Sequence, residues 1–331
     1  MNKDHPEVKF GKTGVLIINL GTPDSTSWWD IRKYLKEFLS DRRVIELNPI
    51  VWQIILNIFI LTFRPSKTAH AYKKIWRKES NESPLLYYTR SQSLKLKSKI
   101  GNSNIIVDFA MRYGNPSIKS RLNILKDQGC ENLVVLPLYP QYASATTATV
   151  CDEVYRSLMS MRWQPSLQII PHYESEPKYI DALVESIEKK IKEINWEPDL
   201  IISSYHGIPQ SYFDKGDPYQ CYCQKTTRLM REKFNSIEIK TTFQSRFGPQ
   251  EWLKPYTDKT LESLPKEGIK NLLIICPGFA SDCVETLEEI NIAGRESFMN
   301  SGGKNFDLIP CLNDSPQHID LFQHLIKKYI Y

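Results

Sequence analysis

The sequence predicts an α/β fold with parallel sheets, arranged as two similar doubly wound domains that face each other. Three observations carry this. Short apolar runs alternate with longer helical patterns, as in βαβ units. The 331 residues suffice for two ordinary domains of roughly 100–200 residues each. A faint internal echo pairs one half with the other. ENLVVLPLYPQYASATT (Glu131–Thr147) matches KNLLIICPGFASDCVET (Lys270–Thr286) in a polar start, an apolar strand, a proline, an aromatic, then Ala/Ser and Thr. GVLIINLGTP (Gly14–Pro23) resembles LIISSYHGIP (Leu200–Pro209) in the same way.

Taken in order, the clearest strands are Gly14–Leu20, Asn132–Leu138, Leu200–Tyr205 and Asn271–Cys276, each a short continuous apolar run. Ile105–Phe109 and Leu167–Ile170 are softer candidates. Helical periodicity runs through Tyr179–Asn195, Thr226–Asn235 and Pro316–Ile330. No low-complexity linker divides the halves, and the boundary is placed near residue 165. In such a fold, ligand loops lie at the carboxyl ends of the strands.

Pro49–Phe63 reads PIVWQIILNIFILTF and carries no charge. Its fifteen residues fall short of the ~20 that span a bilayer, and Gln53 and Asn57 interrupt it. It is either a buried core helix or an apolar surface that lies at a membrane interface.

Composition excludes several classes. Lys and Arg number 43 against 38 Asp and Glu, a small surplus without a basic tail, so no nucleic-acid partner is expected. The seven cysteines are odd in number and lack CxxC pairs, which argues against a disulfide framework or zinc ribbon and fits free thiols in a reducing cytoplasm. MNKDHPEVKF is charged and no apolar h-region follows it, so no signal peptide is expected. No GxGxxG follows a strand. Gly11-Lys12-Thr13 imitates the end of a P-loop, but Pro6 stands where the first glycine belongs and the motif precedes a strand.

Three groups of residues could carry chemistry. Of six histidines, only His172 and His206 end an apolar strand, and His206 runs directly into the tight Gly207-Ile208-Pro209 loop. An imidazole there suits proton transfer at neutral pH, although a histidine merely hydrogen-bonded at a strand end is the commoner case. Asp282, Glu285 and Glu289 fall at i, i+3 and i+7, on one face of an α-helix after a strand. Helix capping by Asp282 and Glu285 accounts for two of them. An acidic row near an imidazole also suits a divalent metal such as ferrous iron. Tyr139, Tyr142, Arg112-Tyr113 and Trp252 lie in or beside loops after apolar runs, where a flat apolar ligand with acidic groups would find aromatic walls and polar anchors.

GVLIINLGTPDS, YLKEFLSDRRV, LPLYPQYASATT, SYHGIPQSYFDKGDPY, TFQSRFGPQEWLKPYTD and PGFASDCVETLEEI together resemble the ferrochelatase family, and most of all its enterobacterial-type members. The likeness runs from about residue 13 to the last helix. It implies two Rossmann-like domains with parallel four-stranded sheets (chelatase-like), an active cleft between them, and a C-terminal helix packed back on the first domain. The domains are then 1–165 with 313–331, and 166–312. The implied activity is insertion of ferrous iron into protoporphyrin IX. His206 and Glu285 match the catalytic and metal-handling pair, and Asp282 and Glu289 continue an acidic pathway. Arg64, Lys67, Tyr72 and Ser83 match contacts to porphyrin propionates, while Leu20, Arg112, Tyr113, Tyr142 and Trp252 match the porphyrin-binding cleft.

Two departures sharpen the expectation. Some members hold a 2Fe–2S cluster through a cysteine in the YPQY loop and a C-terminal extension; here the loop position is Ser144 and the sequence ends at Tyr331, so no cluster and no permanently bound cofactor are expected. Leu20 stands where coproporphyrin-using relatives tend to carry tyrosine, which favours protoporphyrin IX. The expected partners are protoporphyrin IX and Fe²⁺, in a cytoplasmic monomer or weak dimer touching the inner membrane peripherally. The alternatives are a related cobalt or nickel chelatase and a non-catalytic haem-binding protein.

Overall fold

The computed structural model describes residues 9–330; His5 and most of the N-terminal segment read for a signal peptide lie outside them. Eight strands form two parallel sheets: β1 (Lys12–Thr22), β2 (Ile105–Gly114), β3 (Cys130–Pro137) and β4 (Ser166–Ile169) in the first, β5 (Leu200–His206), β6 (Ile239–Gln244), β7 (Asn271–Ile275) and β8 (Asn305–Ile309) in the second. Their orders are β2-β1-β3-β4 and β6-β5-β7-β8, so the second sheet repeats the first. The echoed segments occupy equivalent places, β1 with β5 and β3 with β7. The central strands of both sheets are buried on both faces. This explains why Val15, Leu16, Ile17 and Ile18 are all fully buried in one unbroken apolar run.

Two strands escaped the sequence reading. β6 is IKTTFQ, in which Thr241 and Thr242 are buried; Thr242 satisfies its hydroxyl on Thr257 at 2.8 Å. β8 is NFDLI, five residues with an acid at its centre. Neither shows the apolar run that flags a buried strand. The boundary near 165 also needs correcting. β4 pairs with β3 from Asn132↔Ser166 to Val135↔Ile169, so the first sheet extends beyond it.

One apolar cluster joins the halves. It includes Val15 and Leu136 from the first sheet, Ile201 and Leu273 from the second, and Leu183 and Ile187 of the helix Pro177–Glu193. The terminal helix Pro316–Ile330 adds Ile319, Leu321, Phe322 and Ile326 to it. That helix touches Pro84–Ile100 of the first half, as expected, and also Pro177–Glu193.

The apolar segment continues into a longer helix, Pro49–Ile75, which by length and composition alone would pass for a membrane span. Its faces differ. Trp52, Leu56 and Leu61 are buried against Ile31, Leu35 and Tyr72, and the Trp52 indole donates to Leu39 O at 2.7 Å. Ile50, Val51, Ile54, Ile58, Phe59 and Phe63 are all more than half exposed. The helix is therefore an amphipathic lip on the first domain.

Candidate active site in the interdomain cleft

A doubly wound sheet opens a crevice where consecutive connections leave opposite edges of a strand. In both sheets that point lies between the first and third strands. The ends of β1 and β3 contribute Asn19, Leu20, Leu138 and Tyr139; those of β5 and β7 contribute His206, Gly207, Gly278 and Phe279. Together they line a cavity of about 140 Å³. Phe38, Val44, Leu85, Ile208, Tyr212 and Trp252 make its wall apolar, and among the described residues no lysine or arginine lines it. A smaller cavity of about 10 Å³ adjoins it through Leu20, Leu85 and Cys283, and reaches Tyr34, Tyr72, Ser83 and Glu285. Gly21 makes the tight end of β1 possible. Its φ is +117°, and a Cβ would sit 1.8 Å from Tyr113 O.

His206 ends β5, half-buried in the cavity wall. Its Nδ1 lies 2.6 Å from Gly207 O. A carbonyl only accepts, so Nδ1 carries a proton, and in the neutral ring the lone pair is on Nε2. The imidazole ring centre is 6.5 Å from that of Trp252. His172, the other strand-end candidate, is exposed instead, stacked on Tyr222 and paired with Glu174 at 2.5 Å.

The acidic residues separate. The segment Glu285–Gly294 is a π-helix, with i→i+5 bonding rather than the α spacing assumed from sequence. Glu285 and Glu289, four apart, share this helix, and Glu289 is held by Ser245, which directly follows Gln244, the register partner of His206 across β5 and β6. Burial holds the Glu289 carboxyl above its ordinary range. Both its oxygens are taken, by Ser245 N at 2.7 Å and Ser245 Oγ at 2.5 Å. Gln244 Nε2 donates to the Glu285 carbonyl at 2.8 Å.

Asp282 does not continue the row. It precedes the helix and is buried, accepting from Asn313 Nδ2 (2.7 Å), Thr286 Oγ1 (3.1 Å) and Cys311 N (3.3 Å). It ties the chain around residue 313 to the start of the π-helix. Nor does it form the expected capping box with Glu285, because Thr286 is its partner. Glu288 reaches across to the lip helix and binds Lys74 at 2.9 Å.

The porphyrin-contact expectations divide similarly. Leu20 lines both cavities, Trp252 the larger, and Tyr72 and Ser83 the smaller beside Glu285. Ser83 also caps the helix Pro84–Ile100, accepting from Leu86 N at 3.2 Å. Arg64 turns inward, its guanidinium 4.3 Å above the Phe247 ring. Burial lowers its pKa while Glu285 opposes that, and Nη1 has no hydrogen-bond partner. Lys67 is exposed and lines neither cavity.

Arg112 and Tyr113 are misplaced by the sequence reading. Both are buried and bind Asp41, Arg112 through an ion pair and Tyr113 Oη at 2.9 Å, while Arg112 Nε donates to Thr149 O at 2.8 Å. They brace the first domain outside the cleft. Tyr142 also stands aside, half-buried near Arg43 and Asp217. The sequence reading missed Asn19, Tyr34 and Phe247. Tyr34 and Phe247 belong to motif segments already quoted, but nothing in their spacing shows that Tyr34 lines the smaller cavity or that Phe247 carries Arg64.

The model of the family described as Ferrochelatase matches residues 12–330. The "Ferrochelatase" of Rhizobium meliloti strain 1021 is 53% identical over 330 residues, covering 99% of this chain and 97% of that protein. That of Francisella tularensis subsp. holarctica strain OSU18 is 50% identical, covering 97% of each. Among solved structures, SirB from Bacillus subtilis with Fe³⁺ superposes with a TM-score of 0.58 at 12% identity, covering 96% of both chains. CbiX, described as the terminal enzyme for biosynthesis of sirohaem in denitrifying bacteria, gives 0.53 at 12%, covering 96% of this chain and all of that one. These two share the fold: paired parallel four-stranded sheets with a cleft between. A family match running from the first strand to the last helix, with full-length relatives identical at half their positions, settles the kinship: the chain belongs to the ferrochelatase family.

Proposed function

We propose that the chain is a lyase that inserts ferrous iron into protoporphyrin IX to form protohaem, the terminal step of haem synthesis. The observation that carries the substrate choice is the cavity wall, which is apolar and, among the described residues, holds neither lysine nor arginine. A ring with two carboxylates and otherwise apolar edges suits such a wall. The eight carboxylates of a sirohydrochlorin-type ring would leave most of their charge unpaired there. The family membership weighs on the same side. A non-catalytic haem carrier would have no use for paired acids beside an imidazole.

The chemistry requires two pyrrole N–H protons to leave as iron arrives. His206 Nε2, with the lone pair of the neutral ring, accepts a pyrrole proton or holds the incoming metal; Glu285 is its acidic partner. Tyr72 and Ser83, with Arg64 swung out from Phe247, are positioned toward the propionate-bearing edge. Iron is a substrate here. Among the described residues, no group of three or more His, Cys, Asp and Glu is arranged to hold a metal ion. The same reading holds that no 2Fe–2S cluster or other resident cofactor is needed. The likeness to enterobacterial-type members rests on the motif segments alone, since the relatives named above come from Rhizobium and Francisella.

The reading extends to a cytoplasmic monomer or weak dimer docked peripherally on the inner membrane. Its support is the exposed apolar stripe of Pro49–Phe63, with Arg42 and Lys67 exposed nearby to meet anionic headgroups. Arg43 and Arg64, on either side of the stripe in sequence, are taken up by Asp152 and Phe247. The test is a pair of parallel anaerobic assays, protoporphyrin IX with Fe²⁺ and sirohydrochlorin with Co²⁺. Haem formation from the first at a rate far above any product of the second is expected. The reverse preference would overturn the substrate assignment.

A further inference from the structure

Ser245 follows β6 in the left-handed region, with φ +64°, a conformation that strains a non-glycine residue and clusters at functional sites. The strain buys a particular geometry: backbone N–H and side-chain hydroxyl converge on one carboxylate. They bind Glu289 Oε1 at 2.7 Å and Oε2 at 2.5 Å, one donor to each oxygen. Glu289 belongs to the same helix as Glu285, and Ser245, which holds it, directly follows Gln244, the residue paired with His206 across β5 and β6 and bonded to the Glu285 carbonyl. Freed and rotated, its carboxylate would be a third donor beside an imidazole and a second carboxylate. Two nitrogen and oxygen donors hold a divalent ion briefly. Three would make a facial set of the kind that retains ferrous iron.

We propose that Ser245 is a positioning residue that caps Glu289 and so keeps His206, Glu285 and Glu289 from closing into a resident metal site. This rests on the iron-insertion reading above. An enzyme whose metal is a substrate must release it to the ring, and an ion held by three protein donors leaves slowly. The clamp therefore favours turnover over retention. Neighbouring Gln244 fixes the Glu285 backbone from the same strand end, so one short segment disciplines both acids.

Two substitutions test it. Ser245→Ala removes the hydroxyl bond and keeps the strained backbone. Ser245→Gly removes the same bond but accommodates positive φ, and should be at least as stable as the parent. Titration with Co²⁺ in the absence of porphyrin, followed by its visible spectrum, should show both variants binding at least about 5-fold more tightly than the parent. In the assay with protoporphyrin and Fe²⁺, both should lower KM for iron and kcat together. A merely structural serine would instead lower the melting temperature of Ser245→Ala and leave Co²⁺ affinity unchanged or weaker, which overturns the clamp. Unchanged Co²⁺ binding in a stable Ser245→Gly overturns it equally. If the unsubstituted protein inserts no iron, the parent reading fails; if it does and the variants bind Co²⁺ as it does, only the clamp fails.

Discussion

Individual acids in and just before the π-helix do different work, although their spacing in sequence makes them look alike. Glu285 faces the small cavity with Tyr72 and Ser83, Glu289 is capped by Ser245, Asp282 is an internal tie, and Glu288 is paired with Lys74. Glu285→Gln is therefore expected to lower kcat for iron insertion by at least about 10-fold. Glu288→Gln should cost at most about 1 kcal/mol of stability through a partly exposed ion pair and leave kcat within about 2-fold. Equal losses in steady-state rates from both would reduce Glu285 to a structural acid. His206 was legible from the sequence because a strand-end imidazole before Gly-Ile-Pro is a local pattern. The division among the acids was not, because it depends on i→i+5 bonding and on Ser245 and Asn313, residues 44 and 31 positions away in the chain. Arg112 was misread for a related reason: Asp41 lies 71 positions away, and nothing local announces their ion pair.

The terminal helix carries a titration that the sequence does not advertise. His318 is fully buried; its Nδ1 lies 2.6 Å from Asn313 O, and Nε2 has no partner. Desolvation pushes its pKa down to about 4. Unfolded, it titrates near 6.5. Between those values the unfolded chain binds the extra proton, so stability rises with pH. The contribution is fully present above about pH 6.5 and lost as pH falls toward 4, a span worth about 3 kcal/mol. Urea denaturation at several pH values should show His318→Asn less stable at pH 7 but with a flatter decline from 7 to 4. Parallel curves for the two proteins would mean that His318 does not remain neutral when folded. The lip helix was legible as apolar but not as one-sided, since burial of Trp52 beside exposure of Val51 is decided by Leu39 and Ile31 of a neighbouring helix. The π-turn at Leu56–Ile60 further shifts its register from a 3.6-residue repeat.

The whole molecule places an exposed apolar lip on the first domain, which shares the cleft with the second. Ile54→Lys with Ile58→Lys alters side chains 54% and 58% exposed, so the melting temperature should move by no more than about 2 °C. Binding to anionic liposomes and turnover of membrane-delivered porphyrin should fall several-fold, with activity on detergent-dispersed porphyrin retained. Full retention of liposome binding would remove the membrane from the account. The paired sheets were readable from the sequence because each half repeats the same strand-and-loop pattern. The missing β6 and β8 obscured only their size, since short or threonine-rich strands carry little apolar signal. All of this converges on one imidazole between two domains. The direct measurement is single-turnover haem formation under anaerobic conditions, comparing the protein with His206→Ala, each first shown by fluorescence quenching to bind protoporphyrin IX. The account predicts similar porphyrin affinity and a rate of iron insertion at least about 100-fold lower in the variant. Haem formation by His206→Ala at the parent rate would contradict it.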